Sequence, residues 1–470
     1  MIALTLDRIA EITQSRIYGS AQPSELVTGP VVVDSRQVVP GGLFVALGGE
    51  RSDGHDFADA AVAAGATAVL GSQPVAAPQL LVDGGDAEVV AALGRLARAV
   101  ARELTGADIV GVTGSSGKTT TKDMLAQVLD RLGPTIAPAG SYNNEIGHPL
   151  TVLRADEDTR FVALEVAARG IGHIAHLCTI APPRIGVVLN VGSAHVGEFG
   201  SREAIARAKG ELVEALPDAG DGGVAVLNAD DDAVAAMASR TRARVVTFGR
   251  AEGADVRATD VTLDAVGRAR FTLEMAGHSA PVRLALVGAH QVHNALAVAT
   301  VAAECGMAVE EIAAALGEAG PVSRWRMEVT ELADGVTIVN DAYNANPEST
   351  AAALETLRAI GEQRRCHAVL GHMAELGEGA RAEHERIGRL AATNGVATLL
   401  AVGDEAAPIV EGANGVAAWR GEGLTVPDAT EAAAALRERV RPKDVVLVKG
   451  SRVAGLEQVA EQLIAVEGTQ

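Results

Sequence analysis

Cysteine is almost absent from the 470 residues: Cys178, Cys305 and Cys366 stand far apart, with no CxxC pair. An odd, scattered trio excludes a disulfide framework or a cysteine zinc site and suits inert, buried thiols in a reducing compartment. Long hydrophobic runs are missing too. No segment approaches the roughly 20 apolar residues that a bilayer span needs. The opening MIALTLDRIAEITQSR also carries Asp7 and Glu11 where a secretory signal would be apolar. A cytoplasmic chain with no membrane insertion is expected. Positive charge is in deficit, since 40 Lys and Arg against 60 Asp and Glu leave a formal charge of −20. This disfavours nucleic acid and anionic membrane as partners, so an anionic ligand must be held by local groups or by metal. Lysine is scarce even among the basic residues, standing only at 118, 122, 209, 443 and 449. Where arginine has taken nearly every other basic position, a remaining lysine marks a need for a point charge or a nucleophilic amine.

What is present is ordinary for a protein with sizeable cores: 48% hydrophobic and 21% charged residues. At about 150 residues per domain the length implies about three domains. Residues 1–85 alternate short apolar runs with Gly-rich turns, as a small α/β unit would. From 86, VVAALGRLARAVARELTG has helical spacing and opens a second unit running to 319. Within it the strand-length runs DIVGVTG, FVALEVA, RIGVVLNVG, GGVAVLNAD and RVVTFG alternate with helical segments, the pattern of a parallel sheet with crossover helices. Between 254 and 287, Phe271, Leu273, Met275 and then Val282, Leu284, Leu286 recur with period two, which predicts antiparallel strands. Residues 320–470 form a third α/β unit through GVTIVNDAY, HAVLGHM, TLLAVG and DVVLVKGS.

The sharpest motif is Thr113-Gly114-Ser115-Ser116-Gly117-Lys118-Thr119-Thr120, which follows the apolar strand Ile109 to Val112. It precedes a helix with Met124, Leu125, Val128 and Leu129 on one face. Glycines let backbone N–H groups curl around phosphate oxygens, Lys118 can reach the outer phosphates, and Thr119 can ligate magnesium. Val112 stands where the general GxxxxGK[ST] pattern has glycine. An ordinary Gly/Ser turn is the alternative.

TGSSGKTT resembles the shortened phosphate loop of the Mur ligases, ATP-dependent amide-forming enzymes of peptidoglycan synthesis. DSRQVVPGGLFVALGGERSDGHDF, SYNNEIGHPLT, NVGSAHVGEFGS, ARAKGEL, NDAYNANPES and VKGSR agree in order. They are similar to the branch that joins D-alanyl-D-alanine to UDP-N-acetylmuramoyl-tripeptide. The resemblance implies an α/β, three-domain Mur ligase architecture: a UDP-substrate domain, a central P-loop parallel-sheet ATPase domain and a C-terminal domain. It also implies a monomer using ATP and two magnesium ions, with a peptide carboxylate phosphorylated by ATP to an acyl phosphate that an amine then attacks. By the same resemblance, Gly114 to Thr120 hold ATP phosphates, with Asn294 on adenine, Arg324 on phosphate and Asp341 on ribose. Thr119, Glu165, His195 and Lys209 become metal ligands, Lys209 as a carbamate, and these last three with Lys118 form the catalytic set. A carbamate requires a neutral amine and supplies a carboxylate that arginine cannot. Ser35, Arg36, Gly54 and His55 match the uridine-nucleotide segment. Asn143, Asn144, Tyr343, Asn344, Asn346 and Lys449 match the peptide side.

Read without the resemblance, Glu165 is an ordinary carboxylate, His195 and Lys209 are structural or solvated, and Lys449 is a loop lysine. Gln291 departs from the usual HN pair, and Val322-Ser323 replace Pro-Gly before Arg324. Asp230-Asp231-Asp232 is expected to be a helix cap and not a metal site. His372 and Glu375 receive no role. The competing readings are a sister ligase adding a diamino acid, whose DNPR-like motif is absent, a folylpolyglutamate synthase, and a nucleotide-dependent switch.

Overall fold

The computed structural model describes residues 1–49, 52–192 and 196–465. Its scaffold consists of three larger sheets. The first has the order Arg16–Tyr18, Gln79–Leu81, Ala68–Gly71, Leu43–Val45, Val31–Val32 and is parallel except at its first pair. The helix Asp86–Glu103 follows. It buries Val89, Leu93, Leu96 and Val100 in a core shared with Leu6 and Ile9 on one side and Leu150, Leu177 and Ile180 on the other. The segment expected to open the second unit thus packs against both.

The central sheet has nine strands. Thr135–Ile136, Phe161–Glu165, Asp108–Thr113, Ile185–Val188, Val224–Asn228, Arg244–Gly249 and Val256–Leu263 run parallel, and Arg268–Met275 and His278–Val287 extend the sheet antiparallel. The inner parallel strands Phe161–Glu165, Asp108–Thr113, Ile185–Val188 and Val224–Asn228 are buried almost throughout and read as mainly apolar runs; the added hairpin alternates, burying Ala280, Val282, Leu284 and Leu286. The helix Gln291–Glu304 is buried nearly all round, and its alanines let it lie close against Lys118–Leu129. In the third sheet Glu328–Glu331 pairs antiparallel with Thr337–Asp341, and Val445–Lys449, Cys366–Gly371, Thr398–Val402 and Glu422–Val426 continue in parallel.

All three cysteines are free. Burial pushes the Cys178 and Cys305 thiols up to about 12 and Cys366 up to about 11, which leaves them protonated and unreactive near neutrality. Among the described residues no helix is long and apolar enough to cross a membrane.

Candidate active site

Parallel sheets collect functional groups at the carboxyl ends of their strands. Here two sheets do so toward one place. Glu165, Asn228, Asp341 and Lys449 are each the last residue of their strand, and all four line a single cleft of about 870 Å³. Ser115 to Thr120 form another wall.

The loop that opens this wall is held from the next strand over. Asn190 Oδ1 accepts the Ser116 N–H (2.9 Å) and its amide donates to the Ser116 carbonyl (3.2 Å), while Ser115 Oγ accepts the Gly192 N–H (2.9 Å). Gly117 has φ +82°, a left-handed turn that sets the following amides at the start of the helix. A Cβ there would also stand 2.5 Å from Asn294 Oδ1. Lys118 is half-buried and folds back so that Nζ donates to Gly114 O (2.7 Å). Withdrawal from water pushes its amine below the usual value, with Glu165 opposing that shift and Arg326 adding to it.

Glu165 is 2% exposed and its oxygens are both engaged. Thr119 Oγ1 donates to Oε2 (2.9 Å) and Asn143 Nδ2 to Oε1 (2.8 Å). Among the described residues no three His, Cys, Asp or Glu cluster as metal ligands. Magnesium does not need such a cage, since it is commonly held by one or two protein oxygens together with substrate phosphates, and the Thr119 and Glu165 oxygens offer that donor set. His195 lies outside the described residues. Lys209 is only 4% exposed on the helix Arg202–Glu214 and is not among the residues lining the cleft. Burial and then the Lys118 charge push its amine well below 10.5.

On the opposite side Lys449, 2% exposed, forms a buried ion pair with Asp341, its register partner on the adjacent strand, and donates to Asn344 O (2.9 Å). It is a strand residue, so a solvated loop lysine does not describe it. Asp341 also accepts the Met327 N–H (3.1 Å). Removing one partner leaves a charge stranded in the core: Lys449→Met is expected to lower unfolding stability by about 3–5 kcal/mol. Asp341→Asn combined with it should recover much of that loss, as denaturant titration of the three variants would show.

Other expected residues divide clearly. Asn143, Tyr343, Asn344 and Asn346 line the cleft, and Asn346 reaches the phosphate loop with Nδ2 3.4 Å from Ser115 O while capping the helix Pro347–Ile360. Asn144 is taken up as a turn, its Oδ1 accepting the Ile146 and Gly147 N–H groups. Arg324 points away: its side chain is 72% exposed and meets Glu461 at 3.6 Å. Arg326, which sequence reasoning passed over, enters the cleft instead. Asn294 lines the cleft and donates to Gln291 Oε1 (2.8 Å), so the residue that departs from the usual pair buttresses the asparagine. Beside it, burial pushes His290 down to about 4, a neutral ring at pH 7.

Asp231 caps Asp232–Ala235 as expected. Asp230 does more, since it lines the cleft and binds His293 Nε2 (2.8 Å) and the Arg250 and Ala251 N–H groups (2.7 and 2.8 Å). Glu375, given no role from the sequence, also lines the cleft, and its carbonyl accepts the Gly197 N–H (2.9 Å). His372 stacks on His384 and is not among the lining residues.

The N-terminal candidates lie outside this cleft. Ser35 and Arg36 sit on an exposed turn, where Arg36 grips Asp34 through two bonds of 2.9 and 2.7 Å. His55 is committed internally: Nδ1 lies 2.6 Å from Asp53, and Nε2 accepts the Ser72 and Gln73 N–H groups. At Gly54 a Cβ would strike the Leu47 backbone at 2.7 Å, which is reason enough for glycine there.

Comparison with known proteins places this arrangement. The family descriptions "Mur ligase family, catalytic domain", "Mur ligase middle domain" and "Mur ligase, glutamate ligase domain" match residues 30–105, 112–302 and 325–452. A UDP-N-acetylmuramoyl-tripeptide--D-alanyl-D-alanine ligase of Mycobacterium bovis is 52% identical, over 99% of this chain and 98% of its own. The crystal structure of MurF from Acinetobacter baumannii superposes with a TM-score of 0.86 at 31% identity, covering 98% of this chain and 99% of that one. MurF from Thermotoga maritima in complex with ADP gives 0.80 at 33% identity, over 93% and 98%. The order of the three matched segments, the relatives that run the length of the chain and the shared architecture lead to one conclusion: this chain belongs to the Mur ligase family.

Proposed function

We propose that the chain joins D-alanyl-D-alanine to UDP-N-acetylmuramoyl-tripeptide at the expense of ATP. The observation that carries this reading is the convergence of two sheets on one cleft, with a phosphate loop on one wall and the Asp341–Lys449 pair and Asn346 on the other. Such a site can bring a nucleotide and a second substrate together. A substrate carboxylate oxygen attacks the γ-phosphorus, the bond from that phosphorus to the β,γ-bridging oxygen breaks, and the electron pair leaves on ADP. The dipeptide amine then adds to the acyl carbon and loses a proton to water, and the carbon–oxygen bond to phosphate breaks to leave the amide.

Two anions must meet in the first step, so the chain's task is to position and neutralise them. The amides of residues 115–120 and Lys118 hold the phosphates, and Asn294, braced by Gln291, receives the adenine. Asn143, Tyr343, Asn344 and Asn346 face the peptide. Lys449 is fixed by Asp341 at the same wall, and Ser35 and Arg36 serve the uridine nucleotide. Thr119 and Glu165 would hold one magnesium ion, and His195 with a carbamylated Lys209 a second; when bound, these ions neutralise phosphate charge. Burial, and then the Lys118 charge, lower the Lys209 pKa, which favours the neutral amine that carbon dioxide requires.

The reaction is tested by incubating the protein with magnesium, ATP and UDP-N-acetylmuramoyl-tripeptide, with and without D-alanyl-D-alanine. Phosphate release that depends on the dipeptide, with the UDP-pentapeptide found by mass, is the expected result. Product formed only from a dipeptide precursor and a diamino acid would overturn it in favour of the sister ligase. Phosphate without any product would point to a switch. Gly117→Ala addresses the loop itself. The left-handed turn costs a side chain about 1–2 kcal/mol, and the new methyl displaces Asn294. Nucleotide affinity measured by calorimetry should fall at least about tenfold.

A further inference from the structure

We infer that Arg169 receives a carboxylate of the muramoyl peptide other than the one that is phosphorylated, and so selects among tripeptides. This rests on the ligase reading above and adds a specificity-determining residue to it. Among the described residues the lysines and arginines that line the cleft are engaged, with one exception. Lys118 donates to Gly114 O, Lys449 pairs with Asp341, and Arg452 binds Glu457 Oε1 (2.7 Å). Arg326, between the left-handed Trp325 and Met327 (φ +58° and +51°), lies on the Tyr343 ring and donates to Thr119 Oγ1 (3.1 Å). Arg169 also lines the cleft, but its side chain is exposed and its guanidinium meets no carboxylate, carbonyl or ring among the described residues.

The backbone explains why this charge stays in the cleft. Residues 166–172 join the strand Phe161–Glu165 to the helix His173–Ile180, and they are pinned along their length. The Val166 N–H donates to Val112 O (2.9 Å) and the Arg169 N–H to His173 Nδ1 (3.1 Å), while the Gly172 and Ala175 N–H groups donate to the buried Glu211 carboxylate (2.6 and 3.0 Å). His173 Nε2 lies 2.8 Å from Glu145 Oε1, which ties the loop to the turn that carries Asn143. A loop ordered before the ligand arrives pays less to bind it. The same contacts indicate the anion. Arg169 stands four residues after Glu165, whose Oε1 accepts Asn143 Nδ2, and it shares the wall of Asn143 that faces the peptide. The guanidinium is a planar fork that matches a carboxylate through two parallel bonds. Two positions of a tripeptide can supply that carboxylate: the side chain of the third residue, when it is a dicarboxylic diamino acid, or a free carboxyl on the residue before it.

The test is calorimetry of the full chain, without ATP, against UDP-N-acetylmuramoyl-tripeptides that differ by one carboxylate. The third residue is 2,6-diaminopimelate or lysine, and the second carries its free carboxyl or the amide. Arg169→Met should weaken the peptide that has both carboxylates at least about tenfold and leave UDP alone within about twofold. In the ligation assay the loss should appear in KM, with kcat changed by less than about threefold. The exposed side chain makes no contact whose removal would unfold the chain. Arg169→Lys, which keeps the charge and loses the fork, should fall between. The loss should vanish with the lysine peptide if the third residue supplies the carboxylate, and with the amide if the second does. A loss that persists undiminished with both, that extends equally to UDP alone, or that is absent overturns the assignment and leaves the reaction standing. Failure of the unaltered chain to ligate any of these peptides would overturn the ligase reading, and the assignment with it.

Discussion

Lys118→Met is expected to abolish ligation, lowering kcat/KM by at least about 10³-fold, and to do so without unfolding the protein. In the structure the ammonium donates to the Gly114 carbonyl, and Glu165, the buried carboxylate that acts on its charge, keeps its Thr119 and Asn143 donors when the lysine is removed, unlike Asp341 on loss of Lys449. The loop's shape does not depend on it either, because Asn190, Ser115 and the left-handed Gly117 set the backbone. What disappears is a point charge already partly withdrawn from water and therefore strong toward an incoming phosphate. Lys118→Arg should not restore activity, since a wider fork cannot occupy the space of an ammonium folded under its own loop. Phosphate release together with a thermal unfolding curve checks this. A variant that unfolds with wild-type activity lost would indicate a structural lysine, and an active, folded variant would remove Lys118 from the mechanism.

The second large effect is expected at Lys209. If its nitrogen carries a carbamate, Lys209→Ala loses a metal-binding carboxylate, and activity should fall by about 10²–10³-fold. Formate, acetate or propionate should then restore part of it by placing a carboxylate in the vacated space. Intact-protein mass measured under carbon dioxide should show the adduct in the native chain and not in the variant. An unmodified ammonium makes a different prediction. No short acid would help, and an amine such as methylamine would be the better replacement. The burial of Lys209 is what separates these outcomes from those at an ordinary helix lysine: at 4% exposure and beside Lys118, a protonated amine is disfavoured there.

Scarcity of lysine proved an informative sequence signal. Of five lysines, 122, 209 and 449 are buried, and 118 lies in the loop. Lys122, for which no role was drawn, pairs with Asp123 and donates to Pro138 O (2.7 Å), while Asp123 accepts the Ser323 N–H (3.2 Å) at the start of the third unit. The bond that crosses to Ser323 belongs to Asp123, and Lys122 pairs with that carboxylate. Asn144 and His55 show the opposite case, in which a motif match marks residues whose polar atoms the fold itself consumes.

By itself the sequence determined the strand, loop and helix around Gly117, the parallel runs, the alternating hairpin between 254 and 287 and the capping role of Asp231. These are local properties: glycine's backbone freedom, the period of apolar residues and the reach of a short carboxylate operate within a few positions. Only the tertiary structure decided that Asp341 and Lys449, 108 residues apart, neutralise each other, and that Asn346 lies on a loop 231 residues away. It also decided that Arg326 and not Arg324 faces Thr119. Both arginines occupy one short segment with similar neighbours, and two left-handed residues, imposed by contacts to distant strands, settle which of them turns inward.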